Sequence, residues 1–320
     1  MRRLIGSIRR KRIARPAAAV ALGLAAAAGA PARQGAFTIA DVGFQAPECV
    51  RYDARADVYL VASVNGGPAA RDGNGFISRV APDGRVLALR WIEGGRNGAA
   101  LDAPKGMAFH GDTLFVADLS VVRVFDRRTG RPLGSRPVPG ATFLNDVAVA
   151  RDGSLYVTDT GFRAGAGGGM EASGTDALYR FDRRGAAVAV ARGRDLGNPN
   201  GVAAHPLGGV LVVAAGTGAV YRVDAAGRRT DLAKPPRGGL DGVAALPDGT
   251  LLASSWEGEA VYRLGRDGRW TEVATAVPSP AAIGYDARRN RLLIPQMTLN
   301  RVQVRPLAPA PGSGPGGHGR

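Results

Sequence analysis

Four oxygen-bearing side chains, Glu48, Asn145, Asn200 and Asp241, stand at one place in a repeated sequence unit. Each opens a short apolar run, in "PECVRYD", "LNDVAVA", "PNGVAAH" and "LDGVAAL". Carboxylate and amide oxygens converging on a point suit a hard divalent cation, Ca2+ first and Mg2+ or Mn2+ next, and Zn2+ also accepts oxygen ligands. Asn and Asp ahead of a strand commonly just cap turns. Four at one repeat position exceed that need, because "PDG" and "RDG" turns elsewhere in the units already supply ordinary turn chemistry. Lys105 holds the same place in the second unit and Ala281 in the sixth. The lysine has three readings: it pairs with Glu48 or Asp118 and weakens or replaces the metal, it meets an anionic group or oxyanion of a substrate, or it reaches into solvent. Ala281 leaves its position empty, which makes room for a substrate.

These residues need a scaffold that brings distant segments together, and the repeat supplies one. The six markers are separated by 57, 40, 55, 41 and 40 residues. Both long intervals carry an insertion, "NGGPAARDGNG" at 65 to 75 and "GFRAGAGGGMEASGT" at 161 to 175. A typical unit reads as an apolar strand, a turn rich in Asp, Gly, Asn or Pro, a second strand, and a third such as "AVYRVDAAG" leading to a fourth. Six four-stranded units without a long amphipathic helix predict an all-β, six-bladed β-propeller. The last unit holds only three strands, ending at "RVQVRPL", whereas "AFTIAD" at 36 to 41 lacks a partner. Pairing the two closes the ring and removes an open edge.

In such a ring the first strand of each blade lines the channel and the second returns antiparallel to the same face. The ends of the second strands, Ser63, Asp118, Asp159, Ala215, Ser255 and Gln296, are therefore expected around the inner set. Ser63, Asp118, Asp159, Ser255 and Gln296 would form a supporting outer ring. Both insertions join second to third strands, so they belong at this mouth, where they could act as lids.

Composition narrows the surroundings. Residues 1–32 combine a basic start, an apolar stretch and "AGAPA", the pattern of a secretory signal peptide too short to span a bilayer comfortably. They predict an exported protein, periplasmic or secreted, by the general or the twin-arginine route, with no stable membrane insertion after cleavage. The seven basic residues of that segment, with no acidic ones, account for a fall in net charge from +15 to +8. The remaining excess is scattered arginine rather than a dense basic patch, so no nucleic acid partner is expected. Cys49 is the single cysteine and makes no redox or zinc pattern. His110 and His205 follow first strands on the far face, and no GxSxG elbow or phosphate loop occurs. Residues 33–307 form the expected propeller domain, functioning as a monomer, and 308–320 a disordered Pro/Gly-rich tail.

Glu48 in "PECV", Asn145 in "LNDVAV", Asn200 in "NPNGVAA" and Asp241 in "LDGVAALPDG" together resemble the senescence marker protein, gluconolactonase and luciferin-regenerating enzyme family. The likeness runs over about residues 40 to 306, and its specificity lies in the order of the motifs, one per blade. The resemblance implies a metal-dependent hydrolase that opens a small-molecule lactone or related ester at the channel mouth. Glu48, Asn200 and Asp241 match the family's metal ligands. Asn145 matches a residue that contacts substrate or metal-bound water. Asp241 is also the candidate general base, and Lys105, a cation where the family is not expected to have one, is a further candidate for catalysis. Two alternatives stay open: a non-catalytic propeller that binds a small ligand or protein partner through the same face, and a lyase or strictosidine-synthase-like activity.

Overall fold

The computed structural model describes residues 35–167 and 169–309. The expected signal segment and most of the expected tail lie outside the described residues. Six four-stranded antiparallel sheets form the blades of a propeller. From the axis outward, blade 1 is Pro47–Asp53, Val58–Ser63, Phe76–Val80 and Val86–Glu93, and blade 2 is Pro104–His110, Thr113–Asp118, Val121–Asp126 and Pro132–Pro137. Blade 3 is Leu144–Val149, Leu155–Asp159, Ala177–Phe181 and Ala187–Arg192. Blade 4 is Pro199–Ala204, Val210–Ala214, Val220–Val223 and Arg229–Asp231, and blade 5 is Leu240–Ala245, Leu251–Ser255, Ala260–Leu264 and Trp270–Ala274. Blade 6 is Gly284–Asp286, Arg291–Gln296 and Arg301–Pro306, with Phe37–Ile39 as its outer strand.

That outer strand closes the ring as expected. Phe37, Thr38 and Ile39 pair antiparallel with Val304, Gln303 and Val302. The insertion at 161 to 175 contributes a two-stranded hairpin of its own, Phe162–Ala164 with Met170–Ala172. Among the described residues no helix is long and apolar enough to cross a membrane.

Alternation along the strands explains why the blades stack. In blade 1, Val58, Leu60 and Ala62 point into an apolar cluster with Met107, Leu114 and Val116 of blade 2. Their neighbours Tyr59 and Val61 point the other way, onto Leu293, Val302 and Val304 of blade 6. Corresponding clusters lie between blades 2 and 3, 3 and 4, 4 and 5, and 5 and 6. Each second strand is thus buried on both faces, so apolar residues run through its middle on both faces rather than on alternate positions, and most of its polar residues fall at or next to its ends. This ring of interfaces holds the inner strands rigidly around the axis.

Candidate metal centre

A backbone irregularity recurs where chemistry was expected. The ladder between first and second strands slips between Pro47 and Cys49, Pro104 and Met107, Leu144 and Val147, Pro199 and Val202, and Leu240 and Val243. These are β-bulges, which take residues out of the pairing and re-aim their side chains. Glu48, Lys105, Asn145, Asn200 and Asp241 sit one per bulge. Just below the ring, inner strands approach so closely that a Cβ at Gly106 would overlap the carboxylate of Asp146, and one at Gly201 the carbonyl of Asp241. Only glycine fits there.

The ring side chains are buried: Glu48 is 4% exposed, Asn145 4%, Asn200 8% and Asp241 7%. Seven buried side-chain oxygens have no hydrogen-bond partner among the described residues, and one of them, Glu93 Oε2, is ion-paired with Arg96 at 3.1 Å. Of the other six, four are Glu48 Oε2, Asn145 Oδ1, Asn200 Oδ1 and Asp241 Oδ1. An unpartnered buried oxygen costs on the order of 1–3 kcal/mol, more when charged. Native proteins rarely leave such groups together without a ligand to satisfy them.

Neighbouring residues fix which oxygens are left over. Asn145 Nδ2 donates to Thr160 Oγ1 at 3.0 Å, and that hydroxyl donates to the Pro199 carbonyl at 2.9 Å. The hydroxyl's proton being spent, its oxygen must accept, so Asn145 turns its nitrogen to Thr160 and leaves Oδ1 unpartnered. In blade 5, Trp256 Nε1 donates to Asp241 Oδ2 at 2.9 Å, leaving Oδ1. Thr160 and Trp256 each stand 15 residues after their ring partner. The outer-ring expectation fell one residue short of both.

Strand alternation explains that correction. Asp159 and Ser255, one residue earlier, fall on the opposite face of their sheets and are fully buried. Asp159 accepts from the backbone N–H groups of Thr142, Phe143 and Gly161, and Ser255 Oγ bonds the Gly238 carbonyl and the Gly258 N–H. Asp118 accepts from Asp102 N, Ala103 N and Arg123 Nε, while Gln296 bonds the Pro278 carbonyl and Arg301. Ser63 is buried with an unpartnered hydroxyl. Blade 4's second strand ends at Ala214, not Ala215. Asp118, Asp159, Ser255 and Gln296 therefore brace the backbone around the inner strands instead of facing the ring.

Lys105 does not reach solvent, being 2% exposed. Its Nζ donates to the carbonyls of Pro68 and Ala103 at 2.9 and 3.1 Å and lies 4.2 Å from the centre of the Phe143 ring. Phe143 in turn packs edge-on against Phe162 at 6.1 Å. Pro68 belongs to the first insertion and Phe162 to the second, so the lysine links both mouth segments. Its ammonium is turned to carbonyls and makes no ion pair with Glu48 or Asp118 within 4 Å among the described residues.

The electrostatics of the ring follow from its burial. Burial raises the Glu48 carboxyl well above the usual range; the Asp241 charge adds to this and Lys105 opposes it. Burial pushes Asp241 up to about 7 against the pull of the Trp256 N–H. Burial lowers the Lys105 ammonium to about 8, with Glu48 and Asp118 opposing. Two buried carboxylates, each pushed toward protonation, and two amides, each with an unpartnered oxygen at the equivalent bulge of its blade, make a donor set of the kind that suits a hard divalent cation. No three His, Cys, Asp or Glu side chains cluster among the described residues, and the set is two carboxylates and two amides.

Beneath the ring the channel is crossed by a pair that sequence reasoning missed. Arg51 Nη2 meets both oxygens of Asp146 at 3.0 and 3.1 Å, while Nε and Nη1 donate to the carbonyls of Met107 and Ile283. Asp146 also accepts from the N–H groups of Val147 and Val202. On the far side lies an open cavity of about 280 Å3, lined by Arg51, Phe109, Val149 and Tyr285 among others. It is apart from the ring oxygens. His110 and His205 also lie at that end, at or just after the ends of inner strands.

Residues 47–295 match the SMP-30/gluconolactonase/LRE-like region family. No curated protein sequence matches the chain. Among solved structures, a gluconolactonase from Xanthomonas campestris is 21% identical with a TM-score of 0.65, over 87% of this chain and 92% of that one. A structural-genomics protein described as a candidate gluconolactonase is 22% identical with a TM-score of 0.64, over 85% and 91%. Virginiamycin B lyase from Staphylococcus aureus shares the architecture at 12% identity and a TM-score of 0.58, over 85% and 99%.

Proposed function

Because the chain belongs to the SMP-30/gluconolactonase/LRE-like family, we propose that it is a divalent-cation-dependent hydrolase that opens a small-molecule lactone at the propeller mouth. The observation that carries this reading is the set of four buried, unpartnered oxygens on Glu48, Asn145, Asn200 and Asp241. Glu48, Asn200 and Asp241 would hold the cation, with Asn145 beside them. When bound, the cation would polarise the lactone carbonyl and make water a better nucleophile.

The remaining work falls to the chain itself. Asp241 accepts a proton from the attacking water and returns it to the ring oxygen as the carbon–oxygen bond breaks, giving the hydroxy acid. Asn145 orients the substrate or the water. Lys105 supplies positive charge near the oxygen on which negative charge develops. Asp118 and Asp159 keep the strand entries of blades 2 and 3 in place. The Arg51–Asp146 pair blocks the channel below, so substrate enters and product leaves by the mouth alone. The protein acts outside the cytoplasm as a monomer.

A lyase reading has less behind it. The histidine-to-alanine variant of the Staphylococcus aureus lyase is catalytically inactive, whereas His110 and His205 here lie at the end away from the ring. The test is elemental analysis of the protein lacking residues 1–32, followed by assay on aldono- and acyl-lactones. About one divalent ion per chain and chelator-sensitive turnover support the proposal. Stoichiometric metal with no turnover on any lactone would favour a ligand-binding propeller.

A further inference from the structure

We infer that Trp256 is a positioning residue that sets how Asp241 binds the cation, restricting it to a single oxygen; this rests on the cation reading above. The indole N–H occupies Oδ2 at 2.9 Å, and Oδ1 is the oxygen left without a partner. Thr160 does the corresponding job for Asn145, from the corresponding position in blade 3. In both blades the residue just beyond the second strand takes one polar atom of the ring side chain and leaves an oxygen free. The two partners differ in type, a hydroxyl and an indole, but share that geometry.

The indole is held as firmly as the carboxylate. Leu240 pairs with Ser255, so Asp241 and Trp256 follow directly from opposed positions of one ladder. Trp256 N donates to the Gly239 carbonyl at 2.9 Å. Ser255 Oγ donates to the Gly238 carbonyl at 2.6 Å and accepts from Gly258 N at 2.9 Å, while the Glu257 carboxylate accepts from Gly238 N at 3.0 Å. The turn from Ser255 to Gly258 is thereby fastened to the segment that enters Leu240. Gly239 has φ +60°, and a Cβ there would press on Glu257 at 3.0 Å, so glycine is required for this fastening. Trp256 is nevertheless 37% exposed, more than a tryptophan kept for core packing would be.

Partners of metal-binding side chains typically change metal affinity or activity by about 10–100-fold when removed. Trp256→Phe keeps an aromatic ring and deletes the N–H. Calorimetric titration of Ca2+ into the cation-free protein, checked to unfold cooperatively, should show affinity weakened by about 10-fold or more. In the cation-free parent, the Trp256 indole resonance should move on Asp241→Ala, while those of Trp91 and Trp270 stay. A parent that binds Ca2+ and a Trp256→Phe variant that binds it within twofold would overturn the inference alone, as would an indole resonance blind to Asp241→Ala. A parent that takes up neither Ca2+, Mg2+, Mn2+ nor Zn2+ would sink the cation reading and this inference together.

Discussion

Arg51 and Asp146 meet across the propeller axis, one on the inner strand of blade 1 and the other on that of blade 3, with contacts of 3.0 and 3.1 Å. Burial pushes the Asp146 carboxyl up, while Arg51 and the N–H groups of Val202 and Val147 pull it down. The guanidinium cannot give up its proton in a protein, and its two contacts with Asp146 bridge blades 1 and 3, which share no sheet. Removing one member leaves the other charged, buried and unpaired, which costs about 3–5 kcal/mol. Asp146→Asn should lose stability of that order in urea unfolding. Arg51→Met should lose a similar amount, and the double variant less than the sum of the two.

The cation-free protein should respond to pH in a direction that identifies the ring. Asp241 has its folded pKa raised to about 7. A carboxyl raised in this way contributes stability that is fully present below its unfolded pKa, near 4. That contribution is lost as pH climbs through about 7. In chelator, the free energy of unfolding should therefore fall between pH 4 and pH 7, by up to roughly 4 kcal/mol for this one group. Saturating cation should reverse the slope, because ligation needs the carboxylate. Asp241→Asn should flatten the chelator profile, and a variant that kept the parent's slope would exclude Asp241 as its source.

The architecture was legible because it repeats. One weak motif becomes specific when it recurs six times, and the closing strand followed from counting three strands in the last unit. The ring residues were legible for the same reason. Their support was not, since a period-2 error of one residue exchanges faces: Asp159 and Ser255 look like mouth residues in the sequence, yet Thr160 and Trp256 are the ones that touch the ring. Arg51 and Asp146 are 95 residues apart and no local pattern links them. One signal was available. Asp146 follows its marker where the second, fourth and fifth units have Gly106, Gly201 and Gly242. A charged residue in a column otherwise kept small by close strand approach needed a reason.

Lys105 joins the two insertions through Pro68 and Phe143. Lys105→Met retains the aliphatic stem and removes the ammonium, so the Pro68 carbonyl loses its donor and the first insertion loses its tie. Hydrogen–deuterium exchange should quicken across residues 65 to 75 while the inner strands remain protected. If the charge also assists the reaction, kcat should drop by about 100-fold to 1,000-fold, the range for losing one oxyanion-stabilising group. Faster exchange with unchanged kcat would confine Lys105 to holding the mouth together.

Closure by the N-terminal strand offers a test of the fold itself. Phe37–Ile39 is only three residues long, yet it covers the edge of Arg301–Pro306 and brings Ile39 into the cluster shared by blades 6 and 1. A chain beginning at residue 43 keeps every ring residue but exposes that edge. An uncovered strand edge is a template for pairing with another chain, and burial of an Ile side chain is worth about 1.5–3 kcal/mol. The truncated protein should melt at lower temperature and self-associate in size-exclusion chromatography. The same truncation should leave cation uptake by any remaining monomer intact, because the bulges carrying Glu48, Asn145, Asn200 and Asp241 lie at the inner edge of other blades. A truncated chain that stayed monomeric with the parent's midpoint would show that the ring closes without its outermost strand.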